Sequence, residues 1–136
     1  MLATSTNAPS VELDGRHLTL ESIEAAADGA PVAIVAAAQE RVARARRFVE
    51  ERFASGEAIY GVTTGFGRLA NVPVDPKDAA LLQLNLVRSH AAGTGAPLDM
   101  RLVRAAGVLR ANSLSAGHSG IKADTLALIV ELLNRG

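Results

Sequence analysis

The sequence contains no cysteine and no tryptophan, and its 136 residues include one tyrosine and three phenylalanines. The missing cysteines exclude disulfide staples, thiolate metal ligands and a thiol nucleophile. With aromatics scarce but 49% of residues hydrophobic, the core falls to alanine, leucine and valine. Alanine and leucine in that abundance suit packed helices better than a sheet. Net charge is also missing, because 14 Lys and Arg balance 14 Asp and Glu. No overall field therefore selects nucleic acid or an anionic membrane. No apolar run approaches the roughly 20 residues that span a bilayer. The opening MLATSTNAPS lacks the basic-then-apolar order of a secretory signal. The expectation is a soluble, cytoplasmic chain with neither nucleic-acid nor membrane partners, forming one domain or a piece of a larger one.

What is present is helical punctuation. Residues 1–10 are small and polar, and are expected to fray. Val11 to Leu13 reads as a short extended piece, with Asp14-Gly15 as a turn and Leu18 to Leu20 extended beyond it. LESIEAAAD reads as a helix stopped by Gly29, and Pro31 fits the first turn of the next. From Pro31 to about Ala54, Ile34, Val35, Ala38, Val42, Ala45, Val49 and Phe53 recur at helical steps. Arg41, Arg44, Arg46, Arg47 and Arg52 fall largely on the other side, where Glu40, Glu50 and Glu51 interrupt the charge. Asp75-Pro76 opens another helix, running to about Ala91 or Ala92. Asp99 caps one from Met100 to about Leu114, with Leu102, Val103, Ala106 and Leu109 on one face. A last helix spans Ile121 to Asn134 around Ile121, Leu128, Ile129 and Leu132. The fold class is all-α with one small extended element near the N-terminus.

Two interruptions carry chemistry. In YGVTTGFG the lone tyrosine, Tyr60, precedes glycines at 61, 65 and 67, with Thr63, Thr64 and Phe66 between them. Glycines allow close backbone approach and can form an anion-binding nest. This is no P-loop, since no Lys-Ser/Thr follows and no strand precedes. A phenol works as a base near neutral pH only where its surroundings favour the phenolate. In NLVRSHAAGTG, His90 lies four residues beyond Leu86 and eight beyond Leu82, on the apolar stripe of its helix. There it is either a histidine satisfied by a carbonyl or a polar group aimed into a pocket. His17 and His118 are isolated, and no metal site is expected.

Together, YGVTTGFG at 60–67, LLQLNLVRSHAAGTGAPLD at 81–99 and VLRANSLSAGHSGI at 108–121 resemble the N-terminal portion of the aromatic amino acid ammonia-lyases and aminomutases. Order and spacing match as well, over about Leu18 to Gly136. The resemblance implies a helical-bundle fold with residues 11–136 as an incomplete N-terminal part. It also implies a homotetramer and an electrophilic methylidene-imidazolone formed from an Ala-Ser-Gly segment expected beyond residue 136. Tyr60 would be the catalytic base on a glycine-rich active-site loop made of Gly61, Thr63, Thr64, Gly65 and Phe66. Gly67 would line the pocket, and Ser89 and His90 would contact the substrate side chain.

The resemblance implies ammonia elimination from an aromatic amino acid to a trans-unsaturated acid, or its readdition at the β-carbon by an aminomutase. Arg88 before Ser-His looks more like the bacterial tyrosine group than the histidine lyases, which more often carry an aliphatic residue there. Tyrosine is therefore read first and histidine second, with phenylalanine a third possibility. His118 departs from the family's usual Phe or Tyr. Lacking the electrophile-forming triplet and the carboxylate-binding arginine, the chain alone is expected to be inactive. Its partners would be an aromatic amino acid and the remainder of the enzyme or a second chain. Two other readings stand beside this one: a non-catalytic helical interaction module derived from the family, and an anion-binding protein using the 61–67 nest and the Arg41 to Arg52 face.

Overall fold

A computed structural model describes residues 9–57, 59–62, 64–67 and 74–136. The expected frayed N-terminus lies outside these residues except for Pro9 and Ser10, and so does Thr63. The chain divides into two compact units, residues 1–47 with 97–136 and residues 48–96. Five α-helices, one two-stranded sheet and a 3-10 turn at Pro76–Asp78 make up the elements of the described residues.

The first unit begins with β1 (Val11–Leu13), then α1 (Leu20–Ala27), then β2 (Val32–Ile34). The strands are parallel, with Val11 opposite Val32 and Leu13 opposite Ile34. Parallel strands need a crossover, and α1 supplies it. Here the structure corrects the sequence. Residues 32–34 are a strand, not the first turn of a helix, and Leu20 begins α1 instead of ending an extended piece. Val11 N–H donates to the Pro31 carbonyl (2.7 Å) and Val35 N–H to that of Leu13 (3.2 Å). A short apolar run fits either period, and the partner strand decides it.

Local caps explain the helix ends. Thr19 Oγ1 accepts the Ser22 N–H at the start of α1. At its end the Gly29 N–H reaches the Ala26 carbonyl and the Ala30 N–H that of Ala25, a Schellman pair around a positive-φ glycine. Helix α2 (Ala36–Ala54) supplies residues to both units. In the first, Ala38 and Val42 are buried. Arg41 and Arg46, expected on a solvated face, are half-buried and donate to the Asp14 and Gly120 carbonyls. Asp99 caps α4 (Met100–Ser115) through the Arg101 N–H (2.9 Å), as its position predicts.

The core gathers Leu13, Ala26, Val32, Val42, Val108, Ala111, Leu114, Leu126 and Val130. On α4 it uses a different face from the one the periodicity singled out. On α5 (Ala123–Arg135) it takes Leu126, Val130 and Leu133, with Ile129, and Ile121 just before the helix, packed against it as expected. Leu102, Val103 and Leu109 are exposed on α4, and Leu128 and Leu132 on α5. Both helices are apolar on more than one side, so period alone does not say which side the core takes. Asn134 closes the unit by bonding both backbone groups of Val32: its Oδ1 accepts the N–H (2.8 Å) and its Nδ2 donates to the carbonyl (2.9 Å).

Gly15 is the tightest point of the unit. Its φ is +77° and its N–H donates to Asn112 Oδ1 (2.9 Å). A Cβ there would stand 2.3 Å from the Ala116 nitrogen. Gly15→Ala combines left-handed strain with a backbone clash, and should cost about 2 kcal/mol or more. A urea midpoint equal to that of the unchanged protein would refute this.

The second unit contains the end of α2, the tyrosine loop, a 3-10 turn (Pro76–Asp78) and α3 (Ala79–His90). The start of α3 is two-stage, unlike the direct cap the sequence suggests. Asp75 Oδ1 accepts the Lys77 N–H (3.0 Å) within the 3-10 turn, and Asp78 then occupies the N-cap without a side-chain bond.

Candidate active site

The tyrosine loop is tied to itself. Gly61 turns the chain at φ +70°, and its N–H donates to the buried Thr64 hydroxyl (3.3 Å), which in turn donates to the Gly65 carbonyl (3.1 Å). The Phe66 ring stands edge-on to that of Tyr60, centroids 5.9 Å apart at 76°. The Gly67 N–H donates to Tyr60 Oη at 3.4 Å. Tyr60 remains 63% exposed, so its phenol is held at the root and free at one side. Two of the loop's three glycine N–H groups are used internally, which weakens the anion-nest reading.

Ser89 and His90 form a second cluster, on the last turn of α3. Ser89 Oγ donates to the Leu86 carbonyl (2.8 Å). His90 Nδ1 lies 2.9 Å from the same carbonyl and 3.0 Å from Ser89 Oγ. A carbonyl can only accept, so Nδ1 carries the proton and Nε2 of the neutral ring is an acceptor. The ring is exposed, while Leu82 and Leu86 on its stripe are half-buried. The helix-end carbonyl thus fixes the tautomer, which spacing alone could not reveal. Among the described residues, no hydrogen bond or ring contact joins this cluster to Tyr60.

One tripeptide passes unnoticed when the chain is read for helix signals. Ala54-Ser55-Gly56 has the composition of the cofactor-forming triplet. It is the C-terminal stop of α2. The Gly56 N–H donates to the Phe53 carbonyl and the Glu57 N–H to that of Arg52, around a Gly56 φ of +75°. Ser55 Oγ donates to the Arg52 carbonyl (2.9 Å). Cyclisation would need the glycine nitrogen to attack the alanine carbonyl, and that nitrogen is committed to a helix cap. These residues do not fit the electrophile.

The remaining histidines are accounted for locally. His17 Nδ1 meets Asp14 Oδ2 at 2.7 Å. The Asp14 carboxyl is held well below the usual carboxylate range, chiefly by the His17 backbone N–H, then by the His17 ring and the Arg16 N–H. His118 is exposed. Among the described residues no group of three or more His, Cys, Asp or Glu could hold a metal ion, and no helix is long and apolar enough to cross a membrane.

The aromatic amino acid lyase family model matches residues 18–136, and thus includes both clusters. The chain belongs to the aromatic amino acid lyase family. Within that family it is similar to a histidine ammonia-lyase of Anaeromyxobacter dehalogenans, 53% identical over 125 residues, 91% of this chain and 25% of that one. Its fold matches tyrosine aminomutase from Streptomyces globisporus with a TM-score of 0.89 at 35% identity, over 94% of this chain and 24% of that one. It also matches histidine ammonia-lyase from Trypanosoma cruzi with a TM-score of 0.84 at 35% identity, over 94% of this chain and 25% of that one. The chain therefore spans about a quarter of the length of the lyase-family relatives it matches. The helical fold expected from sequence is the fold of these lyases and aminomutases.

Proposed function

We propose that the full-length protein eliminates ammonia from an aromatic α-amino acid, with Tyr60 as the base, and that histidine is the preferred substrate. The observation that carries this reading is Tyr60 itself, an exposed phenol at the head of a loop whose ring and amide contacts converge on it. The Tyr60 oxygen takes the β-proton, the Cα–N bond breaks, ammonia leaves and a trans Cα=Cβ bond forms. With histidine the product is urocanate. The electrophile and the carboxylate anchor belong to the rest of the enzyme, and no step here runs through Ala54-Ser55-Gly56. The 136 residues alone are accordingly inactive. The assembled enzyme is a cytoplasmic homotetramer using the methylidene-imidazolone group.

Substrate choice rests on Ser89-His90. An Nε2 acceptor favours a side chain whose tip donates, either an imidazole N–H or a phenol O–H, over a bare phenyl ring. Histidine comes first because the 53% identity is to a histidine ammonia-lyase. This reverses the order suggested by Arg88. Tyrosine remains the second reading, supported by that arginine and by the likeness to tyrosine aminomutase.

The test is to incubate the full-length protein with L-histidine, L-tyrosine and L-phenylalanine, following ammonia and the ultraviolet absorbance of the unsaturated acid. Histidine should give the highest kcat/KM. Return of ammonia at the β-carbon would make the enzyme an aminomutase. His90→Phe should shift the kcat/KM ratio toward phenylalanine by roughly 10²-fold, the worth of a hydrogen bond that leaves a polar tip unpaired when lost. An unchanged ratio would remove His90 from the selectivity region.

A further inference from the structure

We propose that Phe66 is a positioning residue for Tyr60, setting the direction of the phenol without touching substrate. The inference rests on the reading of Tyr60 as the base.

An exposed tyrosine on a turn has several open rotamers, and a base aimed by chance spends little time near the proton it must take. Two contacts restrict Tyr60, and both depend on where Phe66 sits. The first is the edge-on ring contact at 5.9 Å, a preferred aromatic geometry. The second is the N–H of the next residue, Gly67, donated to Tyr60 Oη. That amide shares its peptide plane with the Phe66 carbonyl, so moving Phe66 moves the donor.

Phe66 is itself seated. Its Cε1 lies 2.7 Å from where a Cβ on Gly61 would stand, so the ring occupies the space left by the residue directly after Tyr60. On the other side, the Thr64 hydroxyl takes the Gly61 N–H and holds the Gly65 carbonyl, fixing both ends of the short bend that carries the ring. Phe66 is half-buried where Tyr60 is exposed, as expected of a support and the group it supports. The glycine at 61 thus makes room for a ring as well as permitting a turn.

A filler of the loop would affect folding, or kcat and KM together. A positioning residue affects kcat and leaves KM nearly unchanged, because it acts on the proton transfer. In the full-length enzyme, Phe66→Leu and the unbranched Phe66→Met should each lower kcat about ten-fold with KM within about two-fold. Phe66→Tyr, which keeps the ring edge, should return kcat to within about two-fold of the unchanged enzyme. If one aliphatic variant fails to fold, the other decides. Tyr60→Phe is run beside them. Should it turn over normally, the assignment of the base fails and this inference goes with it. Should it be inactive while the aliphatic variants match the unchanged enzyme, or while Phe66→Tyr is as slow as they are, only the positioning role of Phe66 is overturned.

Discussion

Tyr60→Phe in the full-length enzyme should lower kcat by about 10²- to 10⁴-fold, the usual worth of a general base, with KM changed far less. The substitution removes one oxygen and keeps the ring, so the edge-on packing against Phe66 survives. The lost contact is the one with the Gly67 N–H, which is long at 3.4 Å and accessible to water. Loss of folding therefore cannot account for a fall of that size, and proton abstraction can. Circular dichroism of the variant should match that of the unchanged enzyme. Turnover within about two-fold of normal would require another base.

The second large effect concerns stability. Arg104→Ala should destabilise the first unit by about 4 kcal/mol. Arg104 is only 8% exposed. Its Nε donates to the Ala26 carbonyl (2.9 Å) and its Nη1 to the Leu133 carbonyl, at the ends of α1 and α5. The Ala26 carbonyl lies at the dipole-negative end of α1, where it also accepts the Gly29 N–H. One guanidinium thus ties the last turn of α1 to α5, and among the described residues no carboxylate pairs with it. Removing it strips both carbonyls of a charged donor and leaves a cavity beside Gly107, whose missing Cβ would meet Leu133 at 2.8 Å. Arg104→Lys should recover only part of the loss, since one ammonium on a single stem does not present the planar fork that reaches both carbonyls. The urea midpoint decides: a shift worth less than about 0.5 kcal/mol for Arg104→Ala would mean the clamp contributes nothing measurable.

Arg104 also marks the limit of reading the chain in order. Its partners lie 78 and 29 residues away. In sequence it is one more arginine in an alanine-rich helix, and nothing nearby distinguishes it from Arg101, which is exposed and pairs with Asp28 at 2.6 Å. The candidate site residues were easier to single out than the core residues. Tyr60, its glycines and the Ser89-His90 pair stand out because their residue types are unusual for helix junctions and because three segments match one family in order. What could not be read was how they are held: the His90 tautomer set by Leu86, the buried Thr64 hydroxyl, and the ring of Phe66 against Gly61.

Helix stops at Gly29 and Gly56 and the start at Asp99 follow from the chain alone. Each is a bond or a backbone angle settled within about five residues, so local composition suffices. The all-α class and the family also belong to that local record. Tertiary structure alone decided that Val32 to Ile34 is a strand, because a three-residue strand exists only through its partner at Val11 to Leu13. It alone chose the Val108 and Ala111 side of α4 over the Leu102 and Leu109 side. Burial is a property of what packs against a face, and a helix apolar on both sides carries no information about which neighbour arrives.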